Sequence, residues 1–229
     1  MRNSAGMPLR VRDEKTLGQG SGSSYEFRVR NSGILAVRPG SWHDVFNVLV
    51  WRTFPHVKAA LNERHCAAID PRPSAPRGAL RDALTLIDES GVIVVASDAS
   101  LLDAIRAFRW KELFWQRRAD LATCLRVRIF GHALYEKLLY PYVGLTGHAV
   151  LCCVPQAVIE AEICEQVAEL DRQLAAFLQD GTLLHSPADL HPLPLLGVPG
   201  WHAETASEHF YDNRDYFRTG RRSRGTGNC

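Results

Sequence analysis

Residues 42–65 read WHDVFNVLVWRTFPHVKAALNERH, and this stretch decides how the rest of the chain is interpreted. Its first half is strongly apolar over residues 45–50 and follows Ser41, a residue type that caps helix N-termini well, so it predicts a buried helix. Pro55 is of the residue type favoured in the first turn of a helix, and it predicts the start of a second helix. We therefore predict a helical hairpin over residues 42–65, with the chain reversing at Phe54 and Pro55.

Polar side chains recur along one stripe of each predicted helix. Residues three or four positions apart lie on the same helix face. The stripes consist of Asp44, Asn47 and Trp51 in the first helix and of Lys58, Asn62 and His65 in the second. If the helices run antiparallel, the stripes meet as rungs: Trp51 with Lys58 beside the turn, Asn47 with Asn62 in the middle, and Asp44 with His65 at the open end. A steep crossing of the two helices would separate the stripes instead.

The open end of the hairpin is the first candidate site. A carboxylate bonded to a histidine fixes the tautomer of the ring, as acid–base catalysis and metal ligation require. The same pair is also a common structural hydrogen bond. Both interpretations of Asp44 and His65 stay open, and the neighbouring His43 is predicted to point to another face.

A second cluster of polar residues lies in GHALYEK, residues 131–137. His132 and Glu136 stand four positions apart on a predicted helix, so they can ligate one metal ion or form a simple hydrogen-bonded pair. Lys137 is a candidate anion-binding residue or a solvated charge. Arg81, beside Asp82 at the start of a predicted strand, is a further candidate for ligand binding.

The remaining pattern predicts an α+β fold, predominantly helical, with a small mixed sheet. Short apolar runs predict an extended arm or hairpin over residues 25–37, a hairpin with strands at 83–87 and 92–96, and strands at 125–130 and 149–154. Helical spacing predicts helices at 101–108, 110–121 and 132–139, and one helix over 156–179. We predict a disordered leader at 1–24, a single globular domain at 25–217 and a disordered basic tail at 218–229.

Composition argues against several classes of function. The formal net charge is only +2, and no apolar run reaches the roughly 18–20 residues that span a bilayer, so neither a nucleic-acid nor a membrane partner is favoured. Nucleic-acid binding would need one face shared by Arg109, Lys111, Arg117, Arg118, Arg126 and Arg128. The six cysteines form no CxxC pair, which favours a reduced, cytoplasmic protein. Phosphate-loop, dinucleotide-binding and GxSxG motifs are absent.

Five strings resemble a bacterial family known as domain of unknown function 3025. They are WHDVFNVLVWRTFPHVKAALNERH, RDALTLIDESGV, FGHALYEKLL, YVGLTGHAV and LPLLGVPGW, and together they span most of residues 42–201 in family order. The family is similar in pairing a helical WHDxFN segment with a later FGHAxxEK segment. The resemblance implies a single-domain, cytoplasmic bacterial protein and supplies no mechanism.

The candidate residues favour an enzyme, a metal-dependent hydrolase-like one acting on a small or phosphorylated substrate. In this hypothesis His65, His132 and Glu136 are ligands of a divalent metal ion or acid–base groups, and Asp44 orients His65. Substrate-binding roles fall to Lys58, Asn62, Arg81 and Lys137. The alternative is a non-catalytic binding or scaffolding module in which the same polar residues form a satisfied internal network. A network that lines a cleft favours the enzyme, and one sealed from solvent favours the module. The oligomeric state does not follow from the sequence.

Overall fold

A computed structural model describes residues 1–17, 24–69 and 78–221. The helices are α1 (Tyr25–Ser32), α2 (Trp42–Thr53), α3 (Pro55–Ala68), α4 (Ala79–Ser90), α5 (Ala99–Arg106), α6 (Arg118–Cys124), α7 (His132–Lys137), α8 (Gln156–Glu160) and α9 (Ile163–Gln179). The strands are β1 (Arg10–Asp13), β2 (Ile34–Val37), β3 (Gly91–Ala96), β4 (Leu125–Ile129), β5 (Thr146–Cys153) and β6 (His191–Pro194). A π-helix (Glu112–Gln116) precedes α6, and short 3-10 turns follow α9. The predicted α+β class, with much helix and small mixed sheets, is confirmed.

The central sheet has the strand order β4-β3-β5-β6. β3 pairs parallel with β5, and the two outer pairings are antiparallel. β3 is buried along its whole length, as expected for a strand covered on both faces. One face carries Val92 and Val94 and packs on α5, the π-helix and the C-terminal aromatic residues. The other face carries Ile93 and Val95 and packs on α3, α4 and α9.

The predicted hairpin of strands at 83–87 and 92–96 is wrong in its first half. Residues 83–87 belong to α4, which buries Ala83, Leu84 and Ile87 at helical spacing. Only β3 is a strand, and its parallel partner β5 lies far along the chain. A short apolar run has the composition of both a strand and a buried helix segment, and here the longer helical period decides.

The hairpin of α2 and α3 is confirmed. The Ser41 side chain accepts a hydrogen bond from the Asp44 backbone N–H at 3.2 Å and so caps α2, and Pro55 begins α3 directly after Phe54. Phe54 is buried and fills the space beneath the chain reversal. These local signals act within a few residues, so the sequence predicts them well.

The arm predicted over residues 25–37 is instead helix α1 followed by strand β2. Gly33 ends α1 in the left-handed conformation (φ 65°), a frequent helix terminator. β2 pairs parallel with β1, which lies inside the segment predicted as a disordered leader. Asn3 is buried there and donates to the carbonyls of Val29 and Arg30 at the end of α1. Residues 1–17 therefore pack on the domain, while residues 18–23 lie outside the described part.

The helix predicted over 156–179 is divided into α8 and α9 by an extended Ala161 (ψ 151°). The division turns Ile163 outward, where it is 61% exposed, and brings Gln166 and Asp171 into the interior. The predicted tail is also ordered at its start, since Trp110 Nε1 donates to the Arg218 carbonyl and Arg221 donates to the Leu190 carbonyl. Residues 70–77 and 222–229 lie outside the described residues. No helix in the described part of the chain is long and apolar enough to cross a membrane.

Asp171 of α9 holds the first turn of α3. Its carboxylate accepts from the backbone N–H groups of His56 at 3.1 Å and Val57 at 2.9 Å, and it lies 2.7 Å from His56 Nδ1. We expect Asp171→Ala to lower the free energy of unfolding by about 2–3 kcal/mol, because it leaves helix N-terminal donors buried without an acceptor. Chemical denaturation would measure the loss. Glu169→Ala, at a half-buried position of the same helix whose carboxylate contacts Arg172 and Gln173 of α9, is the control, and an equal effect of both substitutions would contradict the capping role.

Candidate active site

A polar cavity of about 530 Å³ lies beside the open end of the hairpin. α1, α2, α3, α4 and α7 all contribute to its walls, together with β2 and the segment after β1. Its titratable or charged lining residues are Glu14, Tyr25, Glu26, Arg28, Arg38, His43, Asp44, His65, Arg81, Asp88, Glu89 and His132. The cavity therefore includes four of the residues predicted from the sequence to be catalytic or substrate-binding: Asp44, His65, Arg81 and His132.

The rung beside the turn is confirmed. Lys58 Nζ lies 5.5 Å from the centroid of the Trp51 ring, within the range of a cation–π contact. The same ammonium group donates to Asn47 Oδ1 at 2.8 Å and forms an ion pair with Asp88 of α4. Lys58 is only 2% exposed. It is thus part of a buried polar network and does not line the cavity.

The predicted pairing of Asn47 with Asn62 is wrong, because α1 supplies other partners. Asn47 Nδ2 donates to the hydroxyl of Tyr25 at 2.9 Å, and Asn62 Nδ2 donates to the carboxylate of Glu26 at 2.5 Å. Asn62 is as buried as Lys58. Both of these predicted substrate-binding residues thus lie behind the wall of the cavity, where they position groups that do line it.

Asp44 binds Arg38 with both carboxylate oxygens, each at 2.8 Å from a guanidinium nitrogen. These hydrogen bonds lower the pKa of Asp44 to about 2. The carboxylate therefore fixes the loop before α2, and the orientation of His65 by Asp44 stays a prediction. His65 is buried in α3, and its electrostatic interaction with Asp88 is the smallest of the contributions that lower the pKa of that carboxyl.

Asp88 joins the buried network to the cavity. Burial raises the pKa of its carboxyl, but the ion pair with Lys58 and the nearby His132 outweigh burial, so that the net pKa is lowered. Asp88 is consequently ionised beside the Lys58 ammonium. Its backbone carbonyl lies 2.7 Å from His132 Nδ1, so the neutral His132 ring carries its proton on Nδ1.

His43 connects His132 to Glu136. Nε2 of His132 lies 3.0 Å from Nε2 of His43, and Nδ1 of His43 lies 3.1 Å from a carboxylate oxygen of Glu136. His132 and Glu136 are thus linked through an intermediate histidine and not by the direct hydrogen bond that their spacing allowed. The side chains become more exposed along this chain, from 5% at His132 to 34% at His43 and 46% at Glu136. We refer to Glu136, His43 and His132 as the histidine chain.

Counting protons fixes the charge of the histidine chain. The Asp88 carbonyl and the Glu136 carboxylate both accept, and one proton must also lie between the two Nε2 atoms. Three protons on four ring nitrogens make one neutral and one cationic histidine. Burial lowers the pKa of His132, which disfavours a positive charge on that ring. Loss of that proton must open one of the three contacts.

Glu26 is a site residue that the sequence pattern did not reveal. Burial and the negative charge of Asp88 raise the pKa of its carboxyl to about 7. The carboxyl is therefore partly protonated at neutral pH and can donate or accept a proton. The hydroxyl of Tyr25 accepts from Asn47 and Trp51 and donates to none of the described residues, so its hydrogen is available to a ligand.

Glu26 should make stability fall as the pH rises. Its pKa in the folded protein, about 7, lies above its ordinary value of 4.5, so folding favours the protonated form. Stability is then fully present below pH 4.5 and is lost as the pH rises through 7. We expect the wild type to lose about 2–3 kcal/mol more unfolding free energy than Glu26→Gln between pH 5 and pH 8. Urea denaturation at both pH values would measure this difference, and parallel curves for the two proteins would contradict the raised pKa.

Lys137 does not line the cavity, and the three predicted metal ligands do not all line it. Lys137 is exposed. Burial lowers the pKa of His148, and the positive charge of Lys137 lowers it further. Within residues 1–17, 24–69 and 78–221, no three His, Cys, Asp or Glu side chains lie close enough together to hold a metal ion. His65, His132 and Glu136 thus do not form a ready ligand set, although His65 and His132 share the cavity.

The cations considered for nucleic-acid binding have local partners. Arg109 pairs with Glu112, Lys111 pairs with Glu208 and Asp212, and Arg117 pairs with Asp98 and Asp120. Arg118 stacks over the Trp115 ring at 4.7 Å, and Arg126 donates to the carbonyls of Ala122 and Leu125.

The fold and the site together define an α+β domain with a titratable cavity between its N-terminal helices and α4 and α7. The chain belongs to the family described as protein of unknown function (DUF3025), which matches residues 10–221. No curated protein and no solved structure matches it.

Proposed function

We propose that the protein is an enzyme that performs acid–base chemistry, most simply a hydrolysis, on a small polar molecule bound in the cavity. The observation that carries this proposal is the histidine chain, which runs from the exposed Glu136 to His132 in the cavity wall. A structural hydrogen bond needs one donor and one acceptor. A chain of two histidines that holds one shared proton is what a site needs when it takes up and releases protons.

The contacts of the histidine chain favour the protonated state of the histidine pair, which would act as the base. In the neutral pair one contact is open, and the freed ring nitrogen has a lone pair that can accept a proton from water or from a substrate hydroxyl. Accepting that proton closes the chain, and the Glu136 carboxylate 3.1 Å from His43 Nδ1 stabilises the positive charge of the pair. Proton uptake is thus coupled to three hydrogen bonds, two of which have a charged partner.

Glu26 supplies the opposite function. Because its pKa is about 7, it retains a proton at neutral pH that it can donate to a leaving group, while a histidine accepts one from the attacking water. The proton released from water thus goes to the histidine chain, and the proton on the leaving group comes from Glu26. Two groups with opposite tasks line one cavity.

Arginine side chains in the wall favour a substrate with an anionic group, such as a phosphate or carboxylate. Arg28 and Arg81 both line the cavity. The Nε atom of Arg28 is buried and has no hydrogen-bond partner among the described residues. Guanidinium groups bind such anions in a bidentate manner, and the hydroxyl of Tyr25 adds a neutral donor.

A divalent metal ion is compatible with this proposal if the substrate supplies some of its ligands. His65 and Asp88 lie in the same cavity and would be the donors from this chain. Metal dependence would appear as a loss of turnover after chelation and its return with a divalent ion.

The alternative proposal, a binding module without chemistry, is favoured by the buried half of the network. Lys58 and Asn62 are sealed from solvent, and the group of Tyr25, Asn47, Trp51, Lys58 and Asp88 has the satisfied contacts of a structural network. The residues of the histidine chain, which become more exposed from His132 to Glu136, favour the enzyme. We also propose a bacterial, cytoplasmic setting, which the free thiols of Cys66, Cys124, Cys152, Cys153 and Cys164 support.

Incubation with a defined mixture of small metabolites and phosphate esters, followed by mass spectrometry, tests the proposal. We expect the wild type to consume at least one compound with time and to form its hydrolysis product, and His43→Asn to do so far more slowly. If the wild type binds a compound without converting it, the module is favoured. If nothing is consumed, or if the variant consumes it equally fast, the proposed chemistry is wrong.

A further inference from the structure

A second cavity, of about 340 Å³, lies along β6, at the edge of the central sheet. Thr146 and His148 of β5 pair with Pro194 and Pro192 of β6, so the four side chains project from the same sheet face. All four line this cavity. It shares no lining residue with the cavity of the proposed active site, so a role for the second cavity is independent of the proposed function.

The prolines keep the edge of the sheet from pairing with another strand. The Leu195 N–H donates to the Leu145 carbonyl, toward β5. Backbone groups alternate in direction along a strand, so Pro192 and Pro194 face away from β5. Neither has an N–H to donate, and an edge strand without donors is protected against strand addition. The cavity therefore suits a small molecule better than an extended peptide.

Aromatic rings form the opposite wall, and their polar atoms are already satisfied. Trp110 Nε1 donates to the Arg218 carbonyl at 2.7 Å. The Tyr216 hydroxyl accepts from the Leu196 N–H at 2.9 Å and donates to the Leu145 carbonyl at 2.8 Å. Both rings are almost fully buried. They are fixed apolar surfaces, which lose little entropy when a ligand binds.

Phe108 completes this wall in a strained conformation. Its φ is 57°, and it is the sole residue other than glycine with a positive φ in the described part of the chain. A bulky side chain is rare there, because its Cβ crowds the backbone. Its ring packs edge-on against Trp110, with the centroids 5.8 Å apart. The conformation ends α5, because the Phe108 N–H donates to the Ile105 carbonyl and the Arg109 N–H donates to the Ala104 carbonyl, as at many helix C-termini. This helix end places the Phe108 ring in the cavity wall.

Polar groups in the cavity define the remaining ligand chemistry. Ser90 Oγ donates to the Leu86 carbonyl, so it accepts from His148 Nδ1 at 2.8 Å, which leaves Nε2 of His148 as an acceptor. Arg221 donates to the carbonyls of Ala188 and Leu190. Arg218 uses Nε for the Asp215 carbonyl. Its two terminal nitrogens have no hydrogen bond to any described residue and can receive an anion.

We propose that this cavity is a second binding site, for a small planar aromatic molecule that bears an anionic group such as a carboxylate. The ring would lie between Phe108, Trp110 and the prolines of β6, and the anion would bind Arg218. The prolines, the rings of Phe108 and Trp110 and the available guanidinium group of Arg218 point to this occupant.

Titration of the full-length protein with benzoate, followed by two-dimensional NMR, tests the site. Cyclohexanecarboxylate has the same charge without the planar ring, and benzamide has the ring without the charge. We expect saturable shifts of residues lining this cavity with benzoate, and binding about 2–10-fold weaker for each of the other two probes. Shifts that do not saturate, or equal affinity for benzoate and cyclohexanecarboxylate, would overturn the proposal.

Two variants separate binding from stability. Glycine adopts a positive φ without strain, so Phe108→Gly should keep an unfolding midpoint close to that of the wild type while losing most of the benzoate affinity. Thr146→Phe should fill the cavity and abolish binding. Leu49→Ala, an exposed position on α2, is the control and should bind as the wild type does. Wild-type affinity in both Phe108→Gly and Thr146→Phe would show that benzoate binds elsewhere.

Discussion

Replacing His132 by asparagine is expected to lower the turnover of the compound that the protein converts by about 10²–10⁴-fold, the usual contribution of a general acid–base group. The amide of asparagine can still donate to the Asp88 carbonyl from the position of Nδ1. It has no group at the position of Nε2, so the contact with His43 is lost. The substitution thus preserves the anchor of the ring and removes the proton path. Steady-state kinetics on a substrate from the metabolite mixture would measure the loss.

The control for His132→Asn is His191→Asn. His191 of β6 is also partly buried, and burial lowers its pKa, but it lies in neither cavity. Turnover by His191→Asn should match that of the wild type. A comparable loss in both variants would mean that a loss of packing, rather than of proton transfer, explains the effect of His132→Asn.

Lys58→Met should lower the free energy of unfolding by about 3–5 kcal/mol, the usual result of removing one partner from a buried ion pair. The methionine keeps the volume of the aliphatic stem but leaves Asp88 as an uncompensated charge, in a side chain that is only 15% exposed. The contact with the Trp51 ring is lost as well. Because domains of this size are stable by about 5–15 kcal/mol, the variant should be close to its folding limit. Urea denaturation at pH 7 would measure the difference.

Two comparisons make this result specific to the ion pair. Lys111→Met removes an exposed lysine with two carboxylate partners and should leave stability unchanged, because such pairs are solvated. Lys58→Met combined with Asp88→Leu should recover much of the loss, because no unpaired charge remains. If the double variant is no more stable than Lys58→Met alone, the ion pair is not what Lys58 contributes.

Local signals explain what the sequence predicted correctly. The cap at Ser41, the start at Pro55 and the contact of Trp51 with Lys58 depend on residues within one helical hairpin. Strand β4 and helices α5 and α7 follow from periodicity over a few residues in the same way. Such features need no knowledge of distant contacts.

The predictions that the structure contradicts concern residues whose contacts are distant in sequence. The alternating pattern of residues 25–30 concealed α1, and with it Tyr25 and Glu26, which displaced the expected contact of Asn47 with Asn62. Gly33, directly after the helix, was the one local signal for it. The raised pKa of Glu26 depends on Asp88, 62 positions away, so no local pattern could predict it.

His43 was not predicted to be a site residue for a similar reason, because its contacts are also distant in sequence. On its own helix it does not share the stripe of Asp44, Asn47 and Trp51, and its contacts lie on α7, 89 and 93 positions along the chain. The spacing of His132 and Glu136 predicted a shared metal ion or a direct hydrogen bond, but the two residues are joined through a histidine that comes from another helix. Tertiary packing of α2 on α7 creates this site.

The histidine chain can be observed directly by NMR of the side-chain nitrogens of His43 and His132 as a function of pH. We predict that the two rings titrate as a coupled pair, that a proton between the Nε2 atoms is protected from exchange while the pair is charged, and that Glu136→Gln makes the pair lose its proton at lower pH. If instead His43 and His132 titrate independently, with no protected proton and no response to Glu136→Gln, the proposed active site is wrong.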